Sequence, residues 1–99
     1  MKVQLLSFPG CPHAAPTRER LQRALAALGG EVTYEEIDTS AASCDPALAA
    51  WASPTVLVEG VDLEGRSASG GGCRLYDSRK GLTGAPSEEL IRAALVRTT

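Results

Sequence analysis

The first eight positions crowd apolar residues together. KVQLLSF, residues 2 to 8, reads as a buried strand, and the breaker pair Pro9-Gly10 ends it. From residue 17 to 28 the period changes. Leu21, Ala24, Leu25 and Leu28 fall at i, i+3, i+4 and i+7, one face of an amphipathic helix, and Gly29-Gly30 suit its C-terminal end. EVTYEEID, residues 31 to 38, then alternates. Val32, Tyr34 and Glu36 share one side and Thr33, Glu35 and Ile37 the other, so a second strand is expected.

DPALAAW, residues 45 to 51, predicts a short helix, with Asp45 suited to the N-cap and Pro46 to the first helical position. After the breaker at Ser53-Pro54, TVLV is a strand, Glu59-Gly60 a turn, and VDLEG the return strand of a hairpin. Residues 65 to 85 are rich in Gly and Ser around Cys73-Arg74-Leu75-Tyr76 and predict one long loop, a length usually tied to function or motion. PSEELIRAALVR closes the chain as a helix. Ser87 can cap it, Glu88 and Glu89 complement the positive end of its dipole, and Arg92 and Arg97 follow.

The order β-α-β-α-β-β-(loop)-α predicts an α/β fold. Its sheet is mixed and four-stranded, with a parallel pair from the strand–helix–strand unit, an antiparallel hairpin, and helices flanking it. A length of 99 residues, no internal repeat and no linker predict a single domain over 1–99.

Composition narrows the function classes. The net charge is -2 and no basic run of useful length exists, which argues against a nucleic-acid or membrane-surface role. No apolar stretch approaches a membrane span, and MKVQLLSFPGC lacks the long apolar run of a signal peptide, so a cytoplasmic location is expected. The cysteines, at 11, 44 and 73, are odd in number and far apart, unlike a disulfide framework, so their reactivity matters more than cross-linking.

Cys11 is the first candidate for chemistry. It follows a strand and leads into a helix, and at a helix N-terminus unpaired N–H groups and the positive dipole end favour the nucleophilic thiolate form of a thiol. The alternative is a small buried residue at a turn. Pro16 complicates the geometry: either the first turn is irregular or the regular helix begins near Pro16. His13, the chain's one histidine, would stabilise the thiolate or shuttle a proton, or else stand exposed without a role. Ala14 occupies the position where a dithiol site has its second cysteine. A lone thiolate still forms a mixed disulfide, which a further thiol must resolve. Cys73, carried by its loop, is either that thiol or a small packing residue, and Cys44 reads as structural or incidental.

Zinc is not expected, because Cys11, His13, Cys44 and Cys73 lack paired ligand spacing. A soft ion needs only two thiolates, which Cys11 and Cys73 would provide. Arg66, Arg74, Arg79 and Lys80 either bind a carboxylate, such as those of glutathione, or simply solvate the loop.

Cys11-Pro12 after strand one, Ser53-Pro54-Thr55 before strand three, and the closing hairpin and helix together resemble the thioredoxin fold. More narrowly, Gly10-Cys11-Pro12, Ser53-Pro54-Thr55, Gly71-Gly72-Cys73-Arg74-Leu75-Tyr76, and Pro86 with Ile91 to Leu95 are similar to small bacterial and archaeal thioredoxin-like proteins. Some of that group are labelled alkylmercury lyases, whose separate catalytic domain has no counterpart in these residues. The resemblance implies a thiol-disulfide oxidoreductase with Cys11 as nucleophile and Cys73 as resolving thiol, and His13 joins them as a catalytic candidate on its own chemistry. It implies substrate binding by Pro12, Ser53, Pro54 and Thr55, with a cis-proline at 54 and Ser53-Pro54 offering backbone groups to an extended substrate. The substrate would be a thiol or disulfide, on a protein or as glutathione, with glutathione the co-substrate and no bound cofactor. Two other readings stay open: a binder of soft metals or organomercurials, and a non-catalytic scaffold for protein interaction.

Overall fold

A computed structural model describes residues 1–29, 32–68, 70–78 and 81–98. The apolar opening run forms strand β1 (Val3–Ser7). Helix α1 (Ala14–Ala27) starts three residues earlier than the apolar periodicity indicates, and Pro16 is its third residue. Proline is tolerated there because first-turn N–H groups have no intrahelical acceptor anyway. Gly29 ends the helix at φ +100°, donating its N–H to Ala26 O at 3.0 Å. The alternating stretch yields only a short strand β2 (Glu35–Asp38), while Val32 and Tyr34 ahead of it pack against the core.

Helix α2 (Pro46–Ala49) begins as expected, the Asp45 carboxylate accepting the Ala47 N–H at 2.9 Å. Strands β3 (Thr55–Val58) and β4 (Val61–Asp62) form the hairpin. The Gly-rich stretch is not one long loop. It contains a second hairpin, β5 (Tyr76–Ser78) paired antiparallel with β6 (Gly81–Thr83). Helix α3 (Glu88–Thr98) follows, with the Ser87 hydroxyl accepting the Leu90 N–H at 3.1 Å.

The result is an α/β architecture with a mixed four-stranded sheet in the order β2-β1-β3-β4 and a separate two-stranded sheet. β1 runs parallel to β2 (Leu6 opposite Ile37) and antiparallel to β3 (Leu5 opposite Val56). Side chains alternate across a strand. Val3, Leu5, Val56 and Val58 therefore share one face, where they join Leu21, Ala24 and Leu25 of α1 and Ile91, Ala94 and Leu95 of α3 in the main core. Burying each large aliphatic chain contributes about 1.5–3 kcal/mol. No helix among the described residues is long and apolar enough to cross a membrane.

The opposite face carries Leu6, Thr55, Leu57 and Asp62, all buried. The segment around Arg74 covers it. The Arg74 guanidinium donates to both Asp62 oxygens, at 2.7 and 3.2 Å, to Glu64 Oε1 at 3.1 Å and to Thr55 Oγ1 at 3.2 Å. Its Cζ lies 4.1 Å from the centroid of the Tyr76 ring. Tyr76, itself fully buried, donates its hydroxyl proton to Pro54 O. Burial drives the Tyr76 phenol far above its ordinary pKa, and the Arg74 charge draws it back only in part. Burial opposes the Arg74 charge, but hydrogen bonding and attraction from Asp62, Tyr76 and Glu64 outweigh it and raise the Arg74 pKa.

Removing one partner of a buried ion pair strands the other charge. Arg74→Ala and Asp62→Ala are each expected to lower the unfolding free energy by about 3–5 kcal/mol, whereas the apolar double variant Arg74→Met/Asp62→Leu costs less than either. Urea denaturation followed by circular dichroism measures all three, and single-variant losses under about 1 kcal/mol would contradict the role given to the pair.

Candidate functional site

The strand register gathers three turns at one end of the sheet. β1 ends at Ser7 beside Asp38 of β2, and Leu6 lies opposite Thr55, the first residue of β3. The turn leaving β1 carries Cys11, and the turn entering β3 is Ser53-Pro54, whose peptide bond is cis, as expected from the resemblance. The third turn follows β2, where Thr39 N–H bonds Ser7 O at 2.9 Å.

Cys11 is held by its backbone. Its N–H bonds Phe8 O at 3.2 Å, and its C=O accepts the Ala14 N–H at 3.3 Å. Its residue exposure is only 8%, while Pro12 beside it is exposed. The regular helix starts at Ala14, so Cys11 stands just outside it rather than on its first turn. Cys11 lines a cleft of about 380 Å³ together with Phe8, Ala14, Arg18, Glu36 and Asp38.

His13 occupies the N-cap position of α1, but its side chain makes no cap hydrogen bond. Its carbonyl instead accepts from the Thr17 hydroxyl at 2.7 Å and the Thr17 N–H at 3.3 Å. The ring points at the chain between β6 and α3: a Cβ placed on Gly84 would lie 2.3 Å from His13 Cδ2 and Nε2. Gly84 is thus a glycine of space, not of backbone angle, and sequence reading passed over it because Thr-Gly-Ala-Pro looks like an ordinary turn. Arg20 ties the same segment to α1 by donating to Pro86 O at 2.9 Å.

The Ser53-Pro54-Thr55 turn faces inward. Ser53 and Thr55 are fully buried, as is Pro54. The Thr55 hydroxyl donates to Ala52 O and accepts from Arg74. Both Ser53 backbone groups, which the resemblance assigns to an extended substrate, are bonded within the chain. Ser53 N–H bonds Gly72 O at 2.7 Å, and Ser53 O accepts the Arg74 N–H at 3.1 Å. Residue 73 is thereby a parallel bridge partner of Ser53. Cys73 is exposed and unpaired, and its backbone is anchored to this rung rather than carried on a free loop.

Arg74 is likewise not available to a ligand carboxylate, since Asp62 and Glu64 hold it in the interior. Arg66 pairs with Glu64 at 3.1 Å and donates to Leu75 O at 3.1 Å. Arg79 and Lys80 lie outside the described residues. Cys44 is partly buried in the connection from β2 to α2, its N–H bonding Ala41 O at 3.0 Å and its thiol 3.5 Å from Asp45 O. Among the described residues, no three His, Cys, Asp or Glu side chains gather as a metal-ligand set.

Comparison of this chain with family models, curated proteins and solved structures finds no match.

Gly84→Ala forces the His13 ring out of its place. Because the chain has one histidine, its Cε1 proton gives a single resonance, which is expected to shift in this variant. Overpacking of this kind costs about 1–3 kcal/mol, and adding His13→Ala to Gly84→Ala should recover most of it. An unshifted resonance with unchanged stability would contradict the contact.

Proposed function

We propose that this chain is a thioredoxin-like thiol protein that carries out thiol-disulfide exchange through Cys11. The observation that supports it best is the meeting of the Cys11 turn and the Ser53-Pro54 turn at one end of a β2-β1-β3-β4 sheet, in the chain order expected for that fold. The open cleft beside Cys11 gives a disulfide somewhere to sit.

The Cys11 thiolate attacks one sulfur of a disulfide R–S–S–R. A Cys11–S–S–R disulfide forms, the substrate's own S–S bond breaks, and R–S⁻ leaves to take a proton from solvent. The Cys73 thiolate then attacks the Cys11 sulfur, forming a Cys11–Cys73 disulfide and releasing the other R–S⁻, and two small-molecule thiols reduce that disulfide, becoming oxidised in turn. In the monothiol route a small-molecule thiolate R′–S⁻ instead attacks the R sulfur of the mixed disulfide, forming R′–S–S–R and freeing the Cys11 thiolate. Cys73 fits the role because its residue is bridged to Ser53, at the same end of the sheet as the Cys11 turn.

Mass spectrometry and peptide mapping after brief exposure of the folded protein to bis(2-hydroxyethyl) disulfide test this. The expected product is either an adduct on Cys11 or a Cys11–Cys73 linked peptide, and Cys11→Ser abolishes both. Modification of Cys44 or Cys73 with Cys11 untouched would overturn the proposal.

A further inference from the structure

The two sides of the Cys11 turn differ in what they leave open. Toward β3, the rung at Ser53 is filled by the chain's own Gly72 and Arg74, and Ser53, Pro54 and Thr55 are buried. An extended peptide that paired with Ser53 would have to displace that segment, and with it the buried Arg74–Asp62 pair. Toward β2, the cleft is open. Cys11 lines it, whereas Ser53, Pro54 and Cys73 do not.

The cleft also has a sign. Arg18 spans both oxygens of Glu36, its Nε on Oε1 and its Nη2 on Oε2 at 3.3 Å, so these two charges cancel. Asp38 has no cationic partner among the described residues. Its Oδ1 accepts from the Ser40 N–H at 2.9 Å and the Ser40 hydroxyl at 2.6 Å. Those bonds favour the carboxylate, led by the one from the Ser40 hydroxyl, and hold Asp38 below its ordinary pKa. Among the described residues, one negative charge is left uncompensated in the cleft that Cys11 lines.

We infer that the substrate of Cys11 is a small disulfide carrying positive charge beside its sulfur, entering between the carboxyl ends of β1 and β2, with Asp38 setting the preference. This rests on the reading of Cys11 as the nucleophile. Asp38 attracts an ammonium group on the incoming disulfide and repels a carboxylate, while the electron and proton balance of the exchange is unchanged.

Three small disulfides separate the two ideas: cystamine (cationic), bis(2-hydroxyethyl) disulfide (neutral) and dithiodiglycolate (anionic). The rate of adduct formation at Cys11 is measured for each and divided by the rate with free 2-mercaptoethanol, which removes the intrinsic differences between the disulfides. The expected normalised order is cationic, neutral, anionic, spanning roughly tenfold at low ionic strength. Asp38→Asn and high salt should each shrink that span to about twofold, with the variant's circular dichroism unchanged. Equal normalised rates, or faster reaction of the anion, would overturn the charge preference while leaving Cys11 as nucleophile. A cysteine peptide in mixed disulfide reacting as fast as cystamine would overturn the restriction to small substrates. Failure of Cys11 to react with any of the disulfides, the neutral one included, would instead remove the nucleophile itself.

Discussion

The buried pair between Arg74 and Asp62 is the contact on which the rest of the structure depends. Asp62 comes from the short edge strand β4 and Arg74 from the Gly-rich stretch that follows it, and neither charge reaches water to any useful extent. Two ions taken out of water are stable only when geometry and further hydrogen bonds compensate. Both conditions are met: the pair is bidentate, Glu64 and Thr55 take additional Arg74 donors, and the Tyr76 ring lies against the guanidinium. Once Arg74 is fixed, its N–H reaches Ser53 O, Gly72 O receives Ser53 N–H, and the Tyr76 hydroxyl closes on Pro54 O. The ion pair thus fastens a segment with little apolar content over the second face of the sheet.

That fastening decides how the thiol end of the sheet can work. Glycines alone would leave residues 70 to 73 without a preferred place. Here Gly70 N–H bonds Ala50 O at 2.8 Å, Gly72 bonds Ser53, and Cys73 is set on the rung between them and Arg74. The Ser53-Pro54 turn is thus occupied from within the chain. Access to Cys11 is left on the side of β2, where Arg18 and Glu36 neutralise each other and Asp38 does not. The far end of the same segment returns through β6 to α1, where the His13 ring lies against Gly84.

Much of this was legible from local pattern. β1, β3, the capped starts of α2 and α3, and the chain order of strands and helices in a mixed four-stranded sheet all follow from apolar period and end residues. Where reading failed, tertiary contacts had overruled local preference. Hydrophobicity would turn Val61 inward and Asp62 outward, yet Val61 is 60% exposed and Asp62 2%, because Asp62 is needed by Arg74. Arg74 itself sits in a Gly and Ser context that reads as a solvated loop, and no sequence period announces a partner twelve residues back. The hairpin from β5 to β6 is too short, and too closely flanked by glycine, to show alternation. The helix began earlier than its apolar face because Ala14 and Thr17, small residues with weak periodic signal, are buried in its first turn. Cys11 and Ser53-Pro54 could be picked out by residue type, but that the Ser53 backbone is already taken depends on a bond across nineteen residues or more.

Amide hydrogen exchange tests the central claim, that the chain occupies its own Ser53 rung. The Ser53 N–H and Arg74 N–H should exchange slowly in the native protein, at rates comparable to the β3 amides. In Arg74→Met both should lose protection together while β1 and β3 keep theirs. A Ser53 amide that exchanges in the native protein as fast as an unprotected one would show the rung to be open, and would contradict the account.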